Sequence, residues 1–444
     1  MLLNAGRACR GNWRRAGKNG VPVTSKKLPV VVIGGGISGM TVAVEAAEAG
    51  AEVLLVEKEP LLGGKVVRFH QSFPKLHSPE TGLEMHVRRI RANERITLLT
   101  GTEALGLSGC QGDFTLDLLV KPRMVRENCT LCHKCAEVCP VEIEDRHNYA
   151  MTKSKAIHLP MKGTHPYQYI IEENACLKNG CGKCKAVCQP NAIDFDEQPK
   201  RLGIRASTVV LATGWEPFDA AKLANFGFGV IPNVISNVMM ERMASPQGPT
   251  GGKIVRPSDN MPAGSIAFVQ CAGQRDEKYL PYCSVICCLV SFKQAYYVRQ
   301  ANPNAEVNII YTELSNPCPG RYDKFISLVM GDEKIVYTKG KVTQIREDRQ
   351  SGEVVMTVKD PANRGAGIQQ VRADMAVLAT GMVPSILGGL LNEAVVLDQN
   401  GFAKPEMQKA GIYITGVAKN PGDVTTSMLD AAYTALRTTQ GIRQ

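Results

Sequence analysis

Twelve of the fifteen cysteines in this 444-residue chain fall into three groups whose spacing suits metal ligation. The first is Cys129-x2-Cys132-x2-Cys135-x3-Cys139, followed by Pro140. The second is Cys176-x4-Cys181-x2-Cys184-x3-Cys188, whose first gap is longer, followed by Gln189-Pro190. The third is Cys271-x11-Cys283-x3-Cys287-Cys288. Thiolates three residues apart can wrap an iron–sulfur cubane, and CxxC pairs also serve structural zinc. The third group is open between a cluster, a redox disulfide and buried free thiols. Its adjacent Cys287 and Cys288 point in different directions, so both reach one cubane only in an irregular shell. Thiols spaced for metal in a chain this long point to a reducing compartment rather than to a small extracellular disulfide scaffold. Cys9, Cys110 and Cys318 lie outside the groups and read as non-ligands.

A second constellation is built for phosphate. Gly34-x-Gly36-x-x-Gly39 follows a β-rich run and opens a helix. The first glycine permits the turn, the second lets a pyrophosphate approach the backbone, and the third lets helix and strand pack closely. Glu57 stands 18 residues beyond Gly39, at the end of the next strand, where a carboxylate can accept from ribose hydroxyls. The bland alternative is a glycine turn with no ligand. Gly63, Gly64 and Lys65 follow, two strands end in ATG at Gly214 and Gly381, and a GVAKNPGD segment runs from Gly416 to Asp423. A later apolar strand, Ile266 to Gln270, precedes a helix and the strand Val307 to Tyr311. That unit should open a second nucleotide site, but its turn carries the third cysteine group in place of glycines. No proton-abstracting dyad or Cys–His nucleophile stands out.

These residues must be positioned by an α/β fold. Pro29 to Ile33, a helix from about Met40 to Ala49 and Glu52 to Val56 make one βαβ unit. Phe114 to Val120 alternates like a meander strand, and Phe226 to Gly264 is Pro/Gly/Asn-rich and loop-like. The expected division is a basic tail (1–28), a first piece of the glycine-fingerprint domain (29–120) and an inserted cysteine module (121–202). A second piece of the fingerprint domain (203–225), a nucleotide-type domain with the cysteine quartet (226–374) and a last piece of the fingerprint domain (375–444) follow. Hydrophobic content of 44% and charge of 21% are ordinary for a globular protein. Seven of the net ten positive charges sit in residues 1–29, so no global basic field for nucleic acid follows. That tail reads as a disordered arm, a mis-assigned start or a transit peptide. The most apolar run, Leu28 to Val44, is interrupted by four glycines, so any membrane role must come through a partner.

The first cysteine run, with its proline, resembles bacterial ferredoxin modules. That resemblance implies crossed ligation: Cys129, Cys132, Cys135 and Cys188 on one cluster, and Cys139, Cys176, Cys181 and Cys184 on the other. The glycine elements resemble the flavoprotein disulfide-reductase superfamily. FAD is thereby the implied cofactor, with Gly63 and Gly64 on its pyrophosphate side and Asp423 at its ribityl or pyrophosphate part. Lys65, Gly214, Gly381 and Gly416 belong to the same implied site. The implied fold is a two-dinucleotide-binding-domain flavoprotein, Rossmann-like and of disulfide-reductase type, with an inserted ferredoxin-like α+β module.

More specifically, FVQCAGQRDEKYLPYCSVICCLVSFKQA (Phe268 to Ala295) resembles a segment of the A subunit of heterodisulfide reductase. FPKLHSPETGLEMHVRRIRAN (Phe73 to Asn93), NVMMERMASPQGPTGGKI (Asn237 to Ile254) and GRYDKF (Gly320 to Phe325) resemble the A subunit of the quinone-interacting membrane-bound oxidoreductase. They are also similar to the heterodisulfide-reductase-like A subunit of sulfur oxidisers. The resemblance implies that Cys271, Cys283, Cys287 and Cys288 ligate a 4Fe–4S cluster near FAD, giving up to three clusters. It also implies that Lys293 approaches the flavin ring, where a cation stabilises a reduced anionic flavin. The implied partners are other heterodisulfide-reductase-like or quinone-interacting subunits, with adenylylsulfate reductase beyond them. The implied role links menaquinone and adenylylsulfate reductase in sulfur metabolism, in the cytoplasm and at the inner membrane only through partner subunits. Alternatives are a stand-alone NAD(P)H-dependent flavin oxidoreductase, a zinc-binding flavoprotein scaffold and the A subunit of sulfur oxidation. The chain departs from the family where two thiols are replaced by His77 and Thr81, and its second cysteine run is fuller than the quinone-linked relative leads one to expect.

Overall fold

The computed structural model describes residues 27–443 except 73, 162–163, 317–318, 361–366 and 386–393. The basic tail up to residue 26, Cys9 and Cys318 therefore lie outside the described residues.

The first sheet has five parallel strands in the spatial order Ile412–Ile414, Thr208–Leu211, Val30–Ile33, Val53–Val56, Ile96–Leu99. Val30 and Val32 face a core shared with the helices Ile37–Glu48 and Val424–Arg443. Val31 and Ile33 face a core shared with Phe114, Leu116 and Ile204 of an antiparallel three-stranded sheet. Burial on both faces is why these strands read as unbroken apolar runs rather than alternating ones.

The second sheet repeats this plan. Its order is Val234–Ser236, Met375–Thr380, Ser265–Ala272, Glu306–Tyr311, Ile335–Lys339, all parallel. The two ATG-ending strands are thus equivalent, each lying beside the first strand of its own unit. This corrects the expected division at one element. Met375–Thr380 falls in the last piece of the flavin domain by sequence, yet it pairs between Val234–Ser236 and Ser265–Ala272 in the second sheet. Its six buried residues fit two covered faces, and an apolar run cannot say which of two similar sheets it joins. The chain crosses between units through an antiparallel ribbon, Trp215–Pro217 with Met382–Pro384. The loop-like stretch 226–264 also holds a strand, Val234–Ser236, and a helix, Asn237–Ala244. Ser236 caps that helix by accepting from Met239 N, and Met240 and Met243 bury in the core.

The cysteine module leaves and rejoins the three-stranded sheet at one point, because Val120 and Lys200 are register partners. It contains two small hairpins, two one-turn α-helices, Lys134–Glu137 and Lys183–Ala186, and two one-turn 3-10 helices, Arg146–Asn148 and Lys178–Gly180. Each α-helix starts at the same place in its cysteine run, after a left-handed residue, His133 or Gly182. The module's core joins Met124, Ile157, Ile171 and Phe195 to the half-buried cysteines. No helix among the described residues is long and apolar enough to cross a membrane.

Candidate functional site

A cavity of about 300 Å³ opens at the C-terminal ends of the first sheet's strands. Gly34, Gly36, Glu57, Gly64, Lys65 and Gly214 border it from the first unit, and Asp423 from the turn before the last helix. Glu241, Cys287 and Lys293 border it from the second unit. Four glycines expected at the site instead hold its walls together. A Cβ on Gly39 would lie 1.7 Å from the Gly34 carbonyl oxygen, so helix and strand meet there with no room for a side chain. Gly63 donates to Gly35 O at 2.9 Å, and Gly416 donates to Asp430 Oδ2 at 2.8 Å. Gly381 packs against Gln274, 2.7 Å from where its Cβ would stand.

The first unit is prepared for an anionic dinucleotide. The helix Ile37–Glu48 has no side-chain cap at its N-terminus, and Gly36, Ile37 and Ser38 border the cavity. Unspent backbone N–H groups and the helix dipole suit a pyrophosphate. Glu57 is buried, and its carboxylate accepts from Gly35 N at 2.5 Å and Glu59 N at 2.7 Å. Burial nevertheless pushes its carboxyl above the ordinary range, against the pull of those two donors. Lys65 pairs with Glu216 of the inter-unit ribbon. Asp423 caps the last helix, accepting from Thr426 N at 2.7 Å, and its other oxygen accepts from Tyr322 of the second unit.

Lys293 enters from the helix Cys287–Ala301 and is 3% exposed. Its ammonium donates to Gln71 O at 2.7 Å and stands 2.7 Å from Glu241 Oε1. The rings of Phe69 and Tyr297 lie 5.4 Å and 5.7 Å from it. Glu241 is held by Gln294 Nε2 at 3.1 Å and His70 N at 3.0 Å. The cation expected at the cavity is therefore one half of a buried ion pair. Glu241 escaped sequence reasoning as a site residue, because only the surrounding NVMMERM segment carried a signal.

Cys287 and Cys288 open the same helix, and only Cys287 of the quartet borders the cavity. Cys271 takes a left-handed φ of 55° where its strand shifts register between Val269 and Ala272. Such a bulge re-aims a side chain. Burial pushes the Cys287 thiol up, and the neighbouring Cys288, Cys283 and Cys271 push it the same way. The four thiols are thus close enough to feel one another. Cys271 is pushed up to about 11, again chiefly by burial. Three sulfurs receive N–H donors: Cys287 from Gln274 Nε2 at 3.2 Å, Cys283 from Val285 N at 3.3 Å and Cys288 from Ser315 N at 3.5 Å. Donors aimed at sulfur fit a ligating thiolate and tune a cluster's potential.

In the inserted module the cysteines gather in two places. Cys129, Cys132, Cys135 and Cys188 border one small cavity. Cys139, Cys176, Cys181 and Cys184 border the other. Each set takes three thiols from one run and the fourth from the other. Ile157 lies between the two cavities and borders both. Among the described residues, no three His, Cys, Asp or Glu side chains converge closely enough to hold a single metal ion. The segment carrying His77 and Thr81 forms the start of the helix Pro79–Ala92, where Ser78 accepts from Glu80 N.

The family model for FAD dependent oxidoreductases matches residues 29–97, which hold the glycine fingerprint and Glu57. Among solved structures, thioredoxin reductase of T. acidophilum is similar with a TM-score of 0.52 and 14% identity, covering 95% of this chain and all of that one. Thioredoxin reductase of Lactococcus lactis gives 0.51 and 13%, covering 94% and 99%. These likenesses show the fold: a flavoprotein disulfide-reductase architecture. The chain is 32% identical over 413 residues to the iron-sulfur A subunit of CoB–CoM heterodisulfide reductase from Methanocaldococcus jannaschii, covering 90% of this chain and 62% of that protein. It is 32% identical over 424 residues to the A subunit of ferredoxin:CoB-CoM heterodisulfide reductase from Methanosarcina mazei, covering 93% and 53%. For the first of the corresponding proteins of Methanopyrus kandleri the figures are 33% over 418 residues, 90% and 62%. The chain thus spans roughly half to under two-thirds of the length of these relatives. Over nine-tenths of its length the chain is thus similar to heterodisulfide reductase A subunits, and it carries the flavin-type cavity and the cysteine quartet described above.

Proposed function

We propose that the chain is the FAD and iron–sulfur electron-transfer subunit of a heterodisulfide-reductase-like complex. One observation carries this reading: Cys287 and Lys293 border the same cavity as the glycine fingerprint. On this reading the thiol quartet, through Cys287, would take the place from which a nicotinamide would otherwise meet the flavin. Gly34, Gly36, Glu57, Gly64, Lys65, Gly214 and Asp423 would hold FAD. The three cysteine quartets would each hold a 4Fe–4S cluster, the two in the module with crossed ligands. Bound flavin supplies the exchange between two-electron and one-electron transfer. The protein's own part is spacing and electrostatics. It sets Glu241 against Lys293 in a buried pair and aims N–H donors at the sulfurs.

The finer reading is a quinone-linked complex that exchanges electrons between menaquinone and adenylylsulfate reductase in sulfur metabolism. Its partners would be other heterodisulfide-reductase-like subunits, one of them at the membrane, with this chain on the cytoplasmic side. The segments Phe73 to Asn93, Asn237 to Ile254 and Gly320 to Phe325 support it through their resemblance.

Anaerobic purification with iron, sulfide and FAD analysis tests the coarser reading. Three cubanes give about twelve iron per chain beside one FAD. Iron and sulfide near zero, or flavin bleached by NAD(P)H alone, would sink it. Reconstitution with the partner subunits, a menaquinol analogue and adenylylsulfate reductase tests the finer one, which fails if electrons do not pass.

A further inference from the structure

Among the described residues bordering the flavin-type cavity, only His147 comes from the inserted module. It lies on the one-turn helix Arg146–Asn148, between the module's first hairpin strands. The turn is tightly held. Asp145 caps it, accepting from His147 N at 2.9 Å and Asn148 N at 3.3 Å. Asn148 Oδ1 accepts from Arg242 Nε at 2.9 Å, tying the turn to the helix that carries Glu241. Arg68, which ends the short helix Val66–Arg68 after Gly63 and Gly64, donates to Arg146 O at 3.4 Å and lies over the Tyr149 ring. His147 Nδ1 and Arg68 Nε are both buried without a hydrogen-bond partner. Buried nitrogens without partners are uncommon, and one explanation is a missing ligand.

We infer that His147 contacts the bound flavin and that the inserted module docks on the cofactor through it. The inference rests on the flavin reading of the cavity. Arg68 is followed by Phe69, His70 and Gln71, the residues packed around Lys293 and Glu241. His147 therefore stands at the end of the cavity where Lys293 lies, away from the helix N-terminus suited to the pyrophosphate, and so meets the ring end of the cofactor. Burial, with help from Arg68, lowers the imidazole to about 4, so it is neutral near pH 7. A neutral imidazole offers one donor and one acceptor. It can thus meet a flavin carbonyl or ring N–H without adding charge beside the Lys293–Glu241 pair. The contact would add the cofactor to the ties, Arg242 to Asn148 and Arg68 to Arg146, that already hold the module's turn.

The test uses the full chain, purified anaerobically as wild type, His147→Ala and His147→Gln. FAD affinity, the flavin absorption spectrum and the flavin midpoint potential are measured, with iron content and cluster EPR as controls. His147→Ala should bind FAD about 2- to 10-fold more weakly, the value of one hydrogen bond. Its spectrum and potential should shift while iron and EPR stay unchanged, and His147→Gln should recover most of the affinity. Unchanged FAD affinity, spectrum and potential in His147→Ala overturn the inference. Parallel loss of iron and FAD in both variants also overturns it, because the role is then structural. Wild type that binds no FAD overturns the reading of the cavity, and the inference with it.

Discussion

Glu241→Gln removes one charge from the Lys293–Glu241 pair and changes little else in shape. The partners stand 2.7 Å apart and are 3% and 4% exposed. At an effective dielectric near 20 their attraction is about 6 kcal/mol, much of it offset by the cost of taking both ions out of water. Removing one partner leaves a buried cation uncompensated, which costs about 3–5 kcal/mol. Lys293→Met should cost less, since Gln294 and His70 still donate to Glu241. The double variant should be milder than the sum of the singles, with a coupling of about 2 kcal/mol or more. Denaturant titration of the four proteins measures this. The bound flavin supplies a second readout. Glu241→Gln leaves a net positive charge at the cavity, so the flavin midpoint potential should rise, and Lys293→Met should lower it. Additive stabilities with a loss below about 1 kcal/mol for Glu241→Gln, or potentials unmoved in both singles, would refute the buried-pair argument.

Three more outcomes follow from the geometry. Gly39→Ala places a Cβ against the Gly34 backbone, which cannot yield, so FAD content should fall and stability drop by about 3 kcal/mol. Wild-type FAD content in that variant would contradict the close approach. Cys139→Ser combined with Cys176→Ser should lose about four iron, whereas Cys139→Ser with Cys129→Ser should lose about eight, because the first pair shares one cavity. The reverse pattern would reject crossed ligation. Burial is the leading cause lowering His70, His147, His158 and His165, so the unfolded chain binds more protons as acid is added. Their contribution to stability is complete above pH 6.5 and is lost as pH falls, for His147 through about 4. Denaturation midpoints should drop over that window, and His147→Gln should flatten the slope.

Motifs local in sequence are legible from residue types and spacing. The glycine fingerprint works through neighbouring residues, so spacing alone announced a turn, a helix N-terminus and Glu57. The cysteine runs announced thiolate ligation in the same way, and burial on both faces left its mark in apolar strands such as Val30–Ile33. Which distant segments meet was not legible from local spacing, and the meeting of Cys188 with the first run and the place of Asp423 and Lys293 came only through resemblance. Met375–Thr380 could have joined either sheet, because both are five-stranded and parallel with an ATG-ending strand beside a βαβ unit, and both demand the same apolar run. Glu241 and Lys293 are 52 residues apart in sequence, and His147 and Arg68 are further separated still, so no local pattern records either meeting. The sequence by itself determined which chemistry the chain is equipped for: glycines spaced to cradle phosphate and thiols spaced to ligate metal, each set by covalent spacing. Only the tertiary structure decided what surrounds that chemistry. A buried lysine must find its counter-charge wherever the packed chain brings one, and two similar sheets facing one cavity bring it from the second unit.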